Sequence, residues 1–371
     1  INYSGNCDSD NETAVGEDNN TVTFKKPSGG GLDEGPHSNC KISVTTSDNV
    51  TSDNLSVNSF VIDTIAPVLD NVTDVRNPIN SQSPNYTFHS DEAGTINYGG
   101  SCIGEFPSGH ANAGQRKENA AADNNTITLQ RTNGSVLADG TTYSDCKISV
   151  TDNASNTSDN LTVNTFTVDT VSPTLNWVIP GGLVPTPDND STPDFTFNSN
   201  EAGDISYTGD CGSSSSSAAT SGDNTVTLTQ PDNSTALSEA QYADCSIKVT
   251  DNATNQSNTL AVSSFTIDIT ASTVTSVSSS NSNGAYNEND NVTITITFSE
   301  NVIVDNSSGN PRIQLETGTN DRYANYISGN STSTLSFLYT VQSGDNSSDL
   351  DYKGTDSLSV NSGTILDNAT N

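Results

Sequence analysis

Basic residues are scarce in this sequence. Lysine and arginine together number 12, against 45 aspartates and glutamates, and the formal net charge is −33. A nucleic-acid-binding surface needs clustered positive charge to neutralise phosphates, so this composition argues strongly against nucleic-acid partners. The same charge disfavours binding to anionic membranes, whereas it suits a well-hydrated surface or the binding of hard cations such as Ca²⁺.

Long hydrophobic runs and methionine are also missing. Hydrophobic residues make up 30% of the chain. Since no run of about 20 apolar residues is present, we expect no membrane insertion. The sequence contains no methionine, even at its first position, and no stretch with the pattern of a signal peptide. We therefore expect the chain to be either a mature product or a segment of a longer protein.

Motifs of known enzymes are missing as well. The sequence has no HExxH, no GxSxG, no P-loop and no GxGxxG, which are the common signatures of metalloproteases, hydrolases and nucleotide-binding enzymes. The three histidines, His37, His89 and His110, lie at unrelated positions. Paired carboxylates are frequent, but a chain this acidic produces them by chance. We predict that the protein is not an enzyme and assign no catalytic residue.

Repetition is the main feature that the sequence does contain. The segment Cys146–Asp169 has copies at Cys40–Asp63 and Cys245–Asp268, each with 23 residues from its cysteine to its aspartate. The closing aspartates at positions 63, 169 and 268 are therefore 106 and 99 residues apart. Self-similarity at a fixed period indicates an array of one repeated module, and this period suits an immunoglobulin-like sandwich of about 100 residues.

Inside the repeated segment the hydrophobic residues alternate. Cys146, Ile148 and Val150 lie at every second position, as in a strand with one buried face. A polar turn follows, and then a second strand whose alternation shifts by one residue between Val163 and Phe166. An extra residue of this kind predicts a β-bulge in the second strand of a hairpin. Disorder, the alternative for so polar a chain, gives no reason for this regular register.

The repeats divide the chain into four predicted domains, which we name the first to fourth modules. They span residues 1–63, 64–169, 170–268 and 269–371. The first lacks the segment that precedes Ile96 in the second, so we expect it to be incomplete at its N-terminal side. The fourth is divergent and has no cysteine. It ends at Asp367–Asn371, which matches Asp152–Asn156, so we expect it to lack its last strand.

Several short motifs carry a resemblance to a known class of repeats. Phe-x-Ser-x-Glu-Ala-Gly, Asp-Cys-x-Ile-x-Val-Thr-Asp-Asn-Ala-x-Asn and Phe-x-Val-Asp-Thr-x-x-Pro resemble the bacterial Ig-like tandem repeats of large cell-surface proteins and adhesins. Thr-Phe-Ser-Glu-Asn-Val and Pro-Arg-Ile-Gln-Leu-Glu-Thr-Gly in the fourth module resemble another repeat of the same proteins. The resemblance covers the whole chain. It implies an all-β protein of tandem immunoglobulin-like antiparallel β-sandwiches arranged as a rod in an extracellular, cell-surface setting.

The resemblance favours a structural function but leaves alternatives open. We expect a non-enzymatic stalk or spacer segment of a surface adhesin or fibre, whose partners are neighbouring copies or further repeats of the same chain. One alternative is a self-assembling filament subunit, in which a neighbouring chain donates the missing strand. Another is an adhesive module that binds a glycan or a protein. For that alternative we would examine the loop at 103–125, which contains Gln115, Arg116 and Lys117.

The six cysteines fall two to a module in the first three modules. In an immunoglobulin-like order, the first cysteine of each pair ends the third strand and the second begins the sixth. Since those strands are antiparallel neighbours, both cysteines would lie at one level of one sheet. The implied disulfides are Cys7–Cys40, Cys102–Cys146 and Cys211–Cys245. Zinc is the alternative, but there is no Cys-x-x-Cys and no cluster of histidines. Disulfides indicate an oxidising, non-cytoplasmic compartment.

The same strand order brings acidic residues together at the junctions between modules. Two loops of each module would face the preceding module, whose last strand delivers a further aspartate to that end. Carboxylate and amide oxygens converging in this way predict calcium sites. The alternative is that Asp-Asn-Ala-x-Asn merely caps a tight turn. The third junction departs most from the pattern, because Glu300 follows Phe298 by two residues whereas Glu201 follows Phe197 by four. The predicted ligands are Asp63, Glu92, Asp152 and Asn156 at the first junction, Asp169, Glu201, Asp251 and Asn255 at the second, and Asp268, Glu300 and Asp367 at the third.

Overall fold

A computed structural model describes residues 1–9, 16, 18–104, 119–179 and 182–371. Within these residues every regular element is a β-strand, and no helix long and apolar enough to cross a membrane is found. The all-β part of the fold prediction is therefore confirmed. The chain forms two compact units, Ile1–Val171 and Ser172–Asn371, and each is described by itself.

The first module, in the first unit, consists of short antiparallel strands. Three of them form a sheet in the order β1-β5-β6, and the other four form the pairs β2-β3 and β4-β7. Cys7 and Cys40 are both buried. The strands are β1 (Asn2–Ser4), β2 (Asp8–Ser9), β3 (Phe24–Lys25), β4 (Gly35–His37), β5 (Lys41–Ser43), β6 (Leu55–Ser56) and β7 (Phe60–Ile62).

The second module completes the first unit with two four-stranded sheets and one separate strand pair around one core. Phe88 and Ile127 come from one sheet and Ile96 and Val150 from the other, and all four belong to one hydrophobic cluster. Alternate residues of each strand enter this cluster, as the two-residue period predicts. The strands are β8 (Leu69–Thr73), β9 (Asn85–Ser90), β10 (Gly94–Gly99), β11 (Cys102–Gly104), β12 (Asn119–Ala120), β13 (Asn124–Arg131), β14 (Thr142–Tyr143), β15 (Lys147–Thr151), β16 (Leu161–Thr162) and β17 (Phe166–Thr167). Their orders are β12-β10-β15-β16, β11-β13-β9-β8 and β14-β17.

The third module, in the second unit, repeats this arrangement. Phe195 and Phe197 of one sheet and Ile247 and Val249 of the other belong to one hydrophobic cluster. The strands are β18 (Leu175–Trp177), β19 (Asp194–Ser199), β20 (Gly203–Thr208), β21 (Gly212–Ser213), β22 (Ala218–Ala219), β23 (Gly222–Thr229), β24 (Ala240–Tyr242), β25 (Ser246–Thr250), β26 (Leu260–Ala261) and β27 (Phe265–Ile267). Their orders are β22-β20-β25-β26, β18-β19-β23-β21 and β24-β27.

The fourth module forms a single seven-stranded antiparallel sheet, in the order β28-β29-β32-β31-β30-β33 with β34 paired to β29. Ile296, Leu335 and Phe337 are fully buried in its core. The strands are β28 (Val274–Ser279), β29 (Asn291–Asp305), β30 (Arg312–Leu315), β31 (Arg322–Ser328), β32 (Thr332–Thr340), β33 (Leu358–Ser359) and β34 (Thr364–Asp367).

The predicted bulge in the repeated hairpin is wrong. Leu161 pairs with Ile148 in β15, but Phe166 pairs with Tyr143 in β14, which lies in a different sheet. The chain leaves the sheet of β15 at Val163 and joins the strand pair β14-β17 at Phe166, so the shift of the alternation marks a change of sheet. The first and third modules make the same change, from β6 to β7 and from β26 to β27.

The three disulfides predicted from sequence are present, but they do not join two strands at one level of one sheet. Cys102 is the first residue of β11, which pairs with β13 in one sheet, whereas Cys146 directly precedes β15 in the other. The bond therefore ties the two sheets together. Each disulfide closes a loop of 33 to 44 residues, which stabilises the fold by about 4 kcal/mol in the loop-entropy model. Three such bonds indicate an extracellular or secreted protein.

Candidate metal centres

Three carboxylates meet in the first unit where the first module joins the second. Asp63 follows β7, Glu92 lies in the turn between β9 and β10, and Asp152 follows β15. One carboxylate oxygen from each lies within 4.8 Å of the others. Two oxygens on opposite sides of one calcium ion are about 4.8 Å apart, since Ca–O distances are about 2.4 Å. This cluster therefore has the dimensions of a calcium site.

Asp152 and Asn156 hold this cluster in place. Asp152 Oδ1 accepts hydrogen bonds from the backbone N–H groups of Ala154, at 2.8 Å, and Asn156, at 2.9 Å. Asn156 Nδ2 donates to Asp152 Oδ2 at 2.9 Å and to the backbone oxygen of Asp63 at 3.1 Å. The tight turn predicted as the alternative for Asp-Asn-Ala-x-Asn is therefore present. The Asn156 side chain also bonds the preceding module through the Asp63 backbone.

The charges of the cluster affect one another. Burial, followed by repulsion from Asp63, Asp91 and Asp152, raises the pKa of Glu92. Burial also acts to raise the pKa of Asp152, but the hydrogen bonds donated by Asn156 and by neighbouring backbone groups leave that pKa below its ordinary value. A cation bound between the carboxylates would remove the repulsion that opposes ionisation of Glu92.

A second cluster lies in the second unit, where the third module joins the fourth. Asp268 follows β27, Glu300 lies within β29, and Asp367 ends β34. One carboxylate oxygen from each lies within 4.8 Å of the others. Burial, followed by repulsion from Asp268, Asp367 and Glu239, raises the pKa of Glu300. The junction that fits the sequence pattern least therefore also brings three carboxylates together.

An irregularity in β29 explains how Glu300 reaches this cluster. Thr297 pairs with Thr334 of β32, but the next paired residue, Val302, is opposite Thr332. Five steps along β29 thus correspond to two along β32. The extra residues form a protrusion that contains Glu300, whereas Glu92 is placed by a turn between two separate strands.

Asp367 differs from Asp152 in one respect that bears on metal binding. Its side chain is 0% exposed, and Oδ1 accepts the N–H groups of Ala369 and Asn371, both at 2.9 Å. Oδ2 is buried and has no hydrogen-bond partner among the described residues. The amide of Asn371 instead donates to the backbone oxygen of Asp268 at 2.7 Å. A buried carboxylate oxygen without a partner is costly, and a bound cation would satisfy it.

Asn371 is an addition to the predicted residues. The match between Asp367–Asn371 and Asp152–Asn156 is the sequence signal that identifies it. At the remaining junction, Asn255 donates from its backbone N–H to Asp251 Oδ1 and from Nδ2 to Asp251 Oδ2, both at 2.9 Å. The set of Asp169, Glu201, Asp251 and Asn255 takes residues from both units, and it stays a prediction.

Oxygen atoms are the only ligands that these clusters offer. Ion pairs among the described residues include Lys26–Asp33, Arg322–Asp345 and Lys353–Asp321, and none of these three involves a carboxylate of either cluster. Carboxylate, amide and backbone oxygens are the ligands of hard cations, of which Ca²⁺ tolerates irregular geometry best. The arrangement can therefore bind a divalent cation.

Surfaces away from the junctions could also bind a ligand. Gln115, Arg116 and Lys117 lie outside the described residues. The fourth module has a polar cleft of about 430 Å³, and Asn281, Tyr286, Asn346 and Asp349 are among the residues that line it.

Comparisons with known proteins identify no family. No family model matches the chain, and no curated protein matches it. The full extracellular region of plexin A4 is 11% identical with a TM-score of 0.20, over 75% of this chain and 21% of that chain. Salmonella alpha-2-macroglobulin reacted with methylamine is 9% identical with a TM-score of 0.17, over 90% of this chain and 25% of that chain. The native E. coli alpha-2-macroglobulin is 10% identical with a TM-score of 0.15, over 86% and 23%. The chain thus spans a quarter or less of these structures, and we draw no inference from them.

Proposed function

We propose that this chain is a non-enzymatic spacer of an extracellular surface protein, built from immunoglobulin-like sandwiches whose junctions bind calcium. The observation that carries the proposal is Asp367 Oδ2. This oxygen is buried and has no hydrogen-bond partner among the described residues, and its carboxylate lies within 4.8 Å of those of Asp268 and Glu300. Calcium bound there would satisfy the oxygen and screen the repulsion among three carboxylates.

The position of each cluster supports a mechanical function. Asp63 closes the first module, whereas Glu92 and Asp152 belong to the second. Asp268 closes the third, whereas Glu300 and Asp367 belong to the fourth. An ion held by both partners at a junction restricts bending between them, and a rod of coupled modules sets a distance between its two ends. The net charge of −33 keeps such a rod hydrated and separate from its neighbours.

Small-angle X-ray scattering of the full chain tests this function. We expect the maximum dimension to shorten when a chelator replaces millimolar Ca²⁺, because unscreened junctions bend more freely. A variant with Asp152→Asn, Asp251→Asn and Asp367→Asn serves as the matched control. It lacks one charged ligand at every junction, so it should give the shorter dimension in both buffers. An identical profile of the wild-type chain with and without chelator would contradict the proposal.

A second candidate function is the binding of a glycan by the cleft of the fourth module. Its asparagine, aspartate and serine side chains can bond sugar hydroxyls, and Tyr286, which is 37% exposed, offers a ring face. A glycan array tests this second candidate function. Binding that is lost in Tyr286→Ala supports this candidate, and an array without any bound glycan eliminates it.

A further inference from the structure

In the first module His37 lies against the Cys7–Cys40 disulfide. The two sulfur atoms and a ring nitrogen of His37 all lie within 4.8 Å of one another. His37 is 6% exposed and both cysteines are 2% exposed. Two sulfurs and an imidazole nitrogen are a ligand set that Zn²⁺ takes in proteins, and an open fourth position is then filled by water.

The hydrogen bonds of the ring identify the nitrogen that could bind a metal. His37 Nε2 lies 2.8 Å from the backbone oxygen of Asp33. A carbonyl oxygen only accepts, so Nε2 carries the hydrogen and Nδ1 presents its lone pair. Nδ1 is buried and has no hydrogen-bond partner among the described residues. Zinc-bound histidines usually donate their other N–H to a carbonyl or carboxylate in this way.

Packing alone does not account for a histidine at this position. His37 stacks on Phe60 with ring centroids 5.3 Å apart, and Tyr143 stacks on Phe166 at 5.5 Å in the corresponding strand pair of the second module. The Tyr143 hydroxyl has a partner, because it accepts the N–H of Ala138 at 2.8 Å. A tyrosine therefore fills the same space without leaving a buried nitrogen unpaired.

We propose that the first module binds one Zn²⁺ through Cys7, Cys40 and His37 when its disulfide is reduced. A dithiol reductant transfers two electrons and two protons to the sulfur–sulfur bond, giving two thiols, and is itself oxidised to a disulfide. Zn²⁺ then displaces both thiol protons and accepts lone pairs from the two thiolates and from His37 Nδ1. The Cα atoms of the cysteines are 5.2 Å apart, so both sulfurs can reach one ion at about 2.3 Å.

Equilibrium dialysis of the full chain against Zn²⁺ tests this site, with excess Ca²⁺ present to occupy the carboxylates. The chain is reduced with a water-soluble phosphine, because a dithiol would itself bind Zn²⁺. The phosphine takes an oxygen atom from water to become its oxide, and the two protons of that water go to the two sulfurs. The control is His37→Tyr, which introduces the residue that the second and third modules have at this position, Tyr143 and Tyr242, and keeps all six cysteines. We expect the reduced wild-type chain to bind one Zn²⁺ more than reduced His37→Tyr, and the oxidised chain to lack that ion.

Alkylation of the thiols provides a second measurement that does not depend on stoichiometry. Mass spectrometry should show that Zn²⁺ protects Cys7 and Cys40 at least tenfold in the wild-type chain and not in His37→Tyr. Equal zinc binding and equal protection in the two proteins would overturn the proposal. So would exchange of the β5 amides at the unfolded rate in the reduced, zinc-loaded chain, because the site requires the folded module. Neither result depends on calcium at the junctions, so this proposal and the proposed function fail separately.

Discussion

Asn156 donates a hydrogen bond from Nδ2 to the backbone oxygen of Asp63 at 3.1 Å, and so joins the second module to the last residue of the first. Asn371 makes the corresponding bond to Asp268 in the second unit at 2.7 Å. In both cases the donor is the last residue of an Asp-Asn-Ala-x-Asn turn. The turn motif therefore both caps a strand and fastens it to the preceding module.

Replacing Asn156 by alanine should loosen the first junction. The change removes the bond to the Asp152 carboxylate and the bond to the neutral backbone oxygen of Asp63, and a bond to a neutral group contributes about 0.5–1.5 kcal/mol. Limited proteolysis followed by mass spectrometry should show faster cleavage near residue 65, at least fivefold, in Asn156→Ala. Asn160→Ala, an exposed asparagine of the same loop, is the control and should be cleaved at the wild-type rate.

Gly100 should tolerate alanine far less well than Gly140. Both have positive φ, +81° and +66°, which costs a residue with a side chain about 1–2 kcal/mol. A Cβ on Gly100 would also lie 2.0 Å from the backbone oxygen of Asp145, whereas one on Gly140 meets nothing within 4 Å. We expect losses of about 1 kcal/mol for Gly140→Ala and about 3 kcal/mol for Gly100→Ala. Hydrogen exchange of the β15 amides measures the loss of stability in each variant. Equal losses would show that backbone conformation alone decides the cost.

Asp232 should titrate far below an ordinary aspartate. Hydrogen bonds from the Thr235 hydroxyl, from the Thr235 backbone and from the Ser234 backbone lower its pKa from 3.8 to about 2. A depressed folded-state pKa contributes stability that is present above pH 3.8 and is lost as the pH falls through about 2. Thr235→Val removes the hydroxyl and should move the pKa towards 3.8, as carboxyl NMR titration can measure. An unchanged titration would show that the hydroxyl bond is unimportant.

The repeat made much of this fold predictable. Because Cys146, Ile148 and Val150 recur in register with their copies, the strand and its buried face follow from the two-residue period. The disulfide pairs followed from the family resemblance. The meeting of Asp63, Glu92 and Asp152 also followed, from the strand order that the resemblance implies.

The sequence did not indicate which sheet each strand joins. The period shows that Leu161 and Phe166 face inward. The partner of Phe166, however, is Tyr143, which lies 23 residues earlier in the chain and is selected by packing. The position of Glu300 beside Asp268 and Asp367 also could not be predicted from the sequence, because it depends on the irregular pairing of β29 with β32. The unpaired oxygen of Asp367 also could not be predicted, since the same motif gives Asp152 Oδ2 a partner in Asn156.

Calcium binding by Asp367→Asn tests the central claim most directly. The substituted amide oxygen can still accept the N–H groups of Ala369 and Asn371, so the turn is retained while one charged ligand is lost. The control is Asp349→Asn, which changes the charge equally at an exposed position of the same module. In equilibrium dialysis at millimolar Ca²⁺, we expect Asp349→Asn to bind as the wild-type chain does. Asp367→Asn should bind one ion fewer, or hold that ion about tenfold more weakly. Identical isotherms for all three proteins would contradict calcium binding at this junction.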